Sequence, residues 1–100
     1  MSSELAAPPV INPTAEEAYW REAYRHEPYY RSDCTYEDYS PAYRVGYTGP
    51  VRRHGEFAQL EGDLKDDFQR VRGRSRLGWD EAREAARAAW QRVTERERPH

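Results

Sequence analysis

Six arginines are the plainest candidates for chemistry in this 100-residue chain: Arg52 and Arg53 after a Gly-Pro pair, and Arg70, Arg72, Arg74 and Arg76 within RVRGRSR. A guanidinium donates through a planar fork that matches a carboxylate or a phosphate. This pattern therefore suits a grip on an acidic protein partner or on a nucleic-acid backbone. The competing use lies within the chain: with 18 acidic residues against 16 basic ones, these arginines are expected to pair with neighbouring Glu and Asp. All the basic residues except Lys65 are Arg, and Arg also lies flat on aromatic rings, in which the chain is rich.

Other reactive residue types are present without the spacing that would make them a site. Cys34 has His26 and Asp33 nearby in sequence, but no nucleophile-elbow motif surrounds it, so nucleophilic catalysis is not expected. A lone cysteine also excludes an internal disulfide and a thiolate metal cluster. His26, His54 and His100 are far apart and show no HExxH or CxxC spacing. Glu61, Asp63, Asp66 and Asp67 are close together, yet a charged outer helix face accounts for them. The expectation is a protein that is not an enzyme and needs no cofactor.

A net charge of -2 gives no overall field toward nucleic acid or an anionic membrane. No segment approaches the roughly 20 apolar residues of a membrane span and no signal-peptide pattern opens the chain, so a cytoplasmic location is expected. The apolar fraction is only 37%, but three Trp, eight Tyr and two Phe restore the capacity for a core. Each such ring buries roughly 150 to 250 Å².

The elements that would carry these residues read as helices. Residues 1–13, with three prolines, are a flexible arm, and 14–93 a single helical domain. Thr14 and Glu17 have the spacing of a capping box for a first helix that Pro28 ends. Residues 29–35 form a connection. A second, short helix follows, in which Pro41 serves either as a first-turn proline behind Ser40 or as a break between two turns. Phe57, Leu60, Leu64, Phe68 and Val71 make one stripe of a third helix that stops at Gly73. A fourth begins after Ser75 and places Trp79, Ala82, Ala86, Ala89 or Trp90, and Val93 on one seam. Residues 94–100 are a frayed tail. The fold class is all-α: three to four short helices around an aromatic-rich core, the last two an antiparallel hairpin, with the first two laid across it.

Tyr36, Tyr39, Tyr43 and Tyr47 stand three and four residues apart, in one row of a helix. They are either a platform on which single-stranded nucleic acid stacks, with Arg44, Arg52, Arg53 and the 70–76 arginines supplying charge, or core. Core is the expectation, because so small a domain has too little else to bury. The groove of the last two helices, lined by Leu60, Leu64, Phe68, Trp79 and alanines, is where the row is expected to lie.

The blocks AYWRE, YEDYSPAYRVG and LEGDLKDDFQRVRGRSRLGWDEAREAARAAW, in that order over about residues 17 to 93, resemble a group of short uncharacterised bacterial proteins. Phe68 stands where that pattern carries Trp. The resemblance implies a bacterial origin, a stand-alone helical domain and a link with stress response; it implies no catalytic residue or cofactor. The functional expectation is a protein that binds a protein partner or itself through an Arg-bearing face. Association with nucleic acid through the same arginines is the alternative.

Overall fold

The computed structural model describes residues 11–96, all in helices, turns and connections, with no strand among them. The outer parts of the expected arm and tail, residues 1–10 and 97–100, lie outside the described residues. Four α-helices follow in order: α1 (Pro13–Ala23), α2 (Tyr36–Arg52), α3 (Phe57–Val71) and α4 (Trp79–Arg96).

α1 is capped two residues earlier than the Thr14 box would place it. Asn12 Oδ1 accepts from the Ala15 amide at 3.2 Å and Pro13 takes the first helical position. Asn is among the best N-caps, and proline's fixed φ suits a first turn, so the pair overrides the weaker Thr signal. A single 3-10 turn, Tyr24–His26, extends α1 toward Pro28.

α2 departs furthest from expectation. It is one continuous helix of 17 residues that starts at Tyr36 behind a Thr35–Asp38 capping box and runs through both Pro41 and Pro50. Pro41 sits well inside, so Ser40 is not its cap and no break occurs. An interior proline withholds an N–H from the preceding turn and costs about 3 kcal/mol in an isolated helix. Burial offsets this. Tyr36, Tyr39, Ala42, Tyr43, Val45, Gly46, Tyr47, Gly49 and Pro50 are all buried, so α2 is enclosed on most sides, as a central helix must be.

Two glycines set how close its neighbour comes. A Cβ on Gly46 would overlap the Ala86 carbonyl oxygen and lie 2.8 Å from Ala89 Cβ. At Gly49 it would lie 2.6 Å from Trp90 Cζ3. Only a residue without a side chain lets α2 and the alanine seam of α4 pack backbone to backbone, and this pairing is the most intimate in the molecule. The two helices run side by side in the same direction, since Asp38 meets Ser75 and Arg76 before α4 begins while Gly49 meets Trp90.

α3 runs opposite to α4. Phe57 meets Trp90, Glu61 meets Arg83 and Phe68 meets Trp79, the order of an antiparallel hairpin. Its turn is longer than RGRS. Gly73 adopts a left-handed φ of 53°, Leu77 is buried, and α4 starts only at Trp79. The hairpin is thus not a platform crossed by the other helices; α2 is the centre and contacts all three. Two boundary expectations also shift. Val71 is 42% exposed and drops out of the α3 stripe, and α4 stays helical through the expected tail start at residue 94.

The central tyrosines face inward, with Tyr43 at 0% exposure and Tyr36, Tyr39 and Tyr47 buried. Their ring partners, however, come from α1 and the 24–30 connection, not from the α3–α4 groove. Tyr43 stacks on Trp20 at 4.5 Å, and Tyr39 lies within reach of Tyr24, Tyr29 and Tyr30. The hydroxyls find partners too. Tyr43 and Tyr29 share a hydrogen bond of 2.8 Å, and Tyr39 accepts from the Arg31 amide at 2.9 Å.

Candidate functional site

The six arginines are not gathered on one face. Arg53 forks onto Asp67 with bonds of 3.1 and 2.9 Å and lies 3.7 Å from Asp63. Arg70 pairs with Oδ1 of the same carboxylate. Arg72 donates to the Ser75 carbonyl at 3.1 Å and covers the Phe68 ring. Arg76 brackets Asp38, donating from its backbone amide at 3.0 Å and from Nη2 at 2.7 Å, and reaches the Asp33 carbonyl at 2.6 Å. Arg52 and Arg74 alone are exposed with no hydrogen bond or ion pair among the described residues.

These pairs are structural. Asp38 is buried, and its carboxyl is held down at about 2 by hydrogen bonds from the Arg76 guanidinium and from the Thr35 and Arg76 amides. The Ser75 hydroxyl donates to the Asp38 carbonyl at 2.6 Å, so one turn of α2 clamps the whole 75–77 strap. Glu61 is likewise held at about 2, first by Arg83, then by the indole N–H of Trp79 at 3.0 Å. Three of the four acidic residues expected on α3 are therefore tied into ion pairs: Glu61 to Arg83, Asp67 to Arg53 and Arg70, and Asp63 to Arg53.

Cys34 is buried, and burial pushes its thiol up, away from the reactive thiolate. His26 is exposed on the 3-10 turn. No cluster of three or more His, Cys, Asp or Glu able to hold a metal occurs among the described residues.

Sequence reasoning missed a cleft among the described residues. It holds about 310 Å³ between the first turn of α3 and the second half of α4. Phe57 and Trp90 border it, with rings packed edge to face at 5.7 Å. Arg83 and Arg87 stand along one side and Gln91, Thr94 and Glu95 continue it along α4. Arg83 is occupied, donating to Glu61 at 2.6 and 3.0 Å and to Glu84 at 3.0 Å. Arg87 and Glu95 are exposed and make no hydrogen bond or ion pair among the described residues, and the Arg87 charge adds to that of Arg83 in keeping Glu61 ionised.

The cleft owes its donor to how the indole is held. The Cε3–Cζ3 edge of Trp90 is pressed on Gly49, which turns the opposite edge, bearing Nε1, away from α2. Trp90 is only 6% exposed, yet its N–H makes no hydrogen bond within the described residues. That N–H is open to solvent; the buried indole N–H without an acceptor among the described residues is that of Trp20, whereas that of Trp79 is taken by Glu61. Trp90 could be seen from sequence only as a core residue, because Phe57 and Arg87 are brought beside it by the hairpin. Comparison of the chain with family models, curated proteins and solved structures returns no match.

Proposed function

We propose that this chain is a small non-enzymatic helical protein that acts by binding a protein partner or a second copy of itself. The observation that carries this reading is the α3–α4 cleft, which pairs the edges of Phe57 and Trp90 with an unpaired guanidinium. Trp and Arg are the side chains that most often dominate binding energy at protein interfaces. With the resemblance described above goes the further proposal of a bacterial, cytoplasmic protein linked with stress response.

Light scattering on the eluting protein across a hundredfold concentration range tests self-association. Affinity capture, followed by reconstitution of the complex from the two purified proteins, tests a heterologous partner. A strict monomer that reconstitutes with nothing captured would overturn the reading.

Association with nucleic acid is the second reading, and the unpaired Arg52, Arg74 and Arg87 favour it. It loses support where Arg53, Arg70, Arg72 and Arg76 are held by carboxylates or carbonyls of the chain itself. Binding to labelled DNA or RNA at low salt that weakens steeply as salt rises would establish it. Silence at micromolar protein would remove it.

A further inference from the structure

We infer that the exposed face of α4 pairs with the same face of a second copy of this chain, antiparallel and two-fold symmetric about Gln91, so that Arg87 of each copy meets Glu95 of the other. The inference rests on the binding reading above and chooses between its two kinds of partner.

The charges of α4 carry it. From Glu81 to Glu95 nearly all of them are engaged within the described residues: Glu81 with Arg31, Arg83 with Glu61 and Glu84, and Arg92 with Glu16. Arg87 and Glu95 are the exceptions, exposed and making no hydrogen bond or ion pair among the described residues. They have opposite signs. Each lies four residues from Gln91, one before it and one after, so the three side chains stand in a row on the outer face, opposite the buried Ala82, Ala86, Ala89 and Val93.

A face with this pattern complements itself when turned end over end. With Gln91 level with its own copy, position 87 of one helix is level with position 95 of the other, and a two-fold axis makes that match twice. The same turn brings Ala88 level with Thr94, both half-buried and small, which lets the two helices approach closely. Gln91 meets itself, and a carboxamide carries both donors and an acceptor for its twin. A parallel pair would instead set Arg87 on Arg87 and Glu95 on Glu95, and like charges exclude it. Beside this face opens the Phe57–Trp90 cleft, bordered by Arg87, Gln91, Thr94 and Glu95, and the second copy covers it. Glu56 on its other lip does not compete for Arg87, being engaged in the α3 capping box. Exposed ion pairs each contribute little, so the dimer is expected to be weak and to dissociate as salt rises.

The test is sedimentation equilibrium of the full chain, from micromolar to millimolar concentration at low and high salt, with Arg87→Glu, Glu95→Arg and the double variant. These positions are exposed and make no ion pair, and far-ultraviolet circular dichroism checks that each variant keeps its helices. Either single reversal sets like charges face to face and should weaken the dimer about tenfold. The double variant exchanges the two charges and should restore it. An equimolar mixture of the two single variants should also restore it, as a heterodimer in which both pairs are opposite in sign. Dimerisation equal in all four proteins, or no recovery in the double variant and the mixture, would overturn the inference and leave the binding reading standing. A strict monomer that reconstitutes with a captured partner does the same. A strict monomer that reconstitutes with nothing overturns both.

Discussion

The two sides of α2 are built from different physics. Toward α1 and the 24–30 connection the contact is phenol and indole: Trp20 on Tyr43, then Tyr39, Tyr24, Tyr29 and Tyr30 in succession. Toward α4 it is glycine against alanine, locked at one end by a buried carboxylate, Asp38, on the 75–77 strap. The aromatic side buries large area and tolerates small shifts, since stacked and edge-on rings are both favourable. The glycine side has no such slack. Its closeness is fixed by atoms that are absent, and its entry by a charge that must stay ionised.

The largest effect is expected on the aromatic side. Tyr43→Ala removes a fully buried ring and should cost about 3 to 5 kcal/mol in urea unfolding, enough to abolish a stable fold at this size. Tyr43→Phe keeps the ring, loses the bond to Tyr29, and should cost only about 1 kcal/mol. Near-equal losses for the two would mean that the hydroxyl pair, not the stacking, holds this side.

On the glycine side, Gly46→Ala adds one methyl group where the Ala86 carbonyl already stands. A cost of about 1 to 3 kcal/mol is expected, of the overpacking kind, read as a lower melting temperature. A neutral result would mean that α2 and α4 can move apart freely, which would erase the contrast drawn above.

Acid should act on the strap of the second side and on the α3–α4 pair before it reaches the aromatic side. Asp38 and Glu61 both have carboxyls held at about 2 in the folded chain, below the usual values near 4 of an unfolded one. Between those limits the unfolded state binds more protons, so the stability these groups contribute is present above pH 4 and lost as pH falls toward 2. Asp38→Asn should lower stability at neutral pH and flatten the acid branch of the curve. An unchanged acid branch would show that other carboxylates carry it. The smallest effect belongs to Arg74→Ala, expected within about 0.5 kcal/mol because this exposed side chain has no partner.

Helical class, the inward tyrosines and the α4 seam were legible in the sequence because they depend on spacing along one chain: rows three and four residues apart, alanines between tryptophans, a glycine after Val71. The α1 cap shows how narrow that legibility is. Thr14 and Asn12 both carry cap chemistry, and one proline between them decided. Pro41 was read as a helix start or a break by its ordinary local cost; the burial that offsets that cost comes from residues distant in sequence. The arginines were recognised as a charged set, but which remain unpaired depends on where Asp38, Asp67 and Glu61 end up.

The sequence by itself determined that this chain forms helices and that its rings, more than its few aliphatic residues, make the core, since both follow from periodicity and composition. Only the tertiary structure decided that α2 is the centre, that Gly46 and Gly49 bring α4 against it, and that Phe57 and Arg87 stand beside Trp90 at a cleft. Those outcomes depend on distances between residues tens of positions apart. Local spacing carries no information about them until the helices are packed.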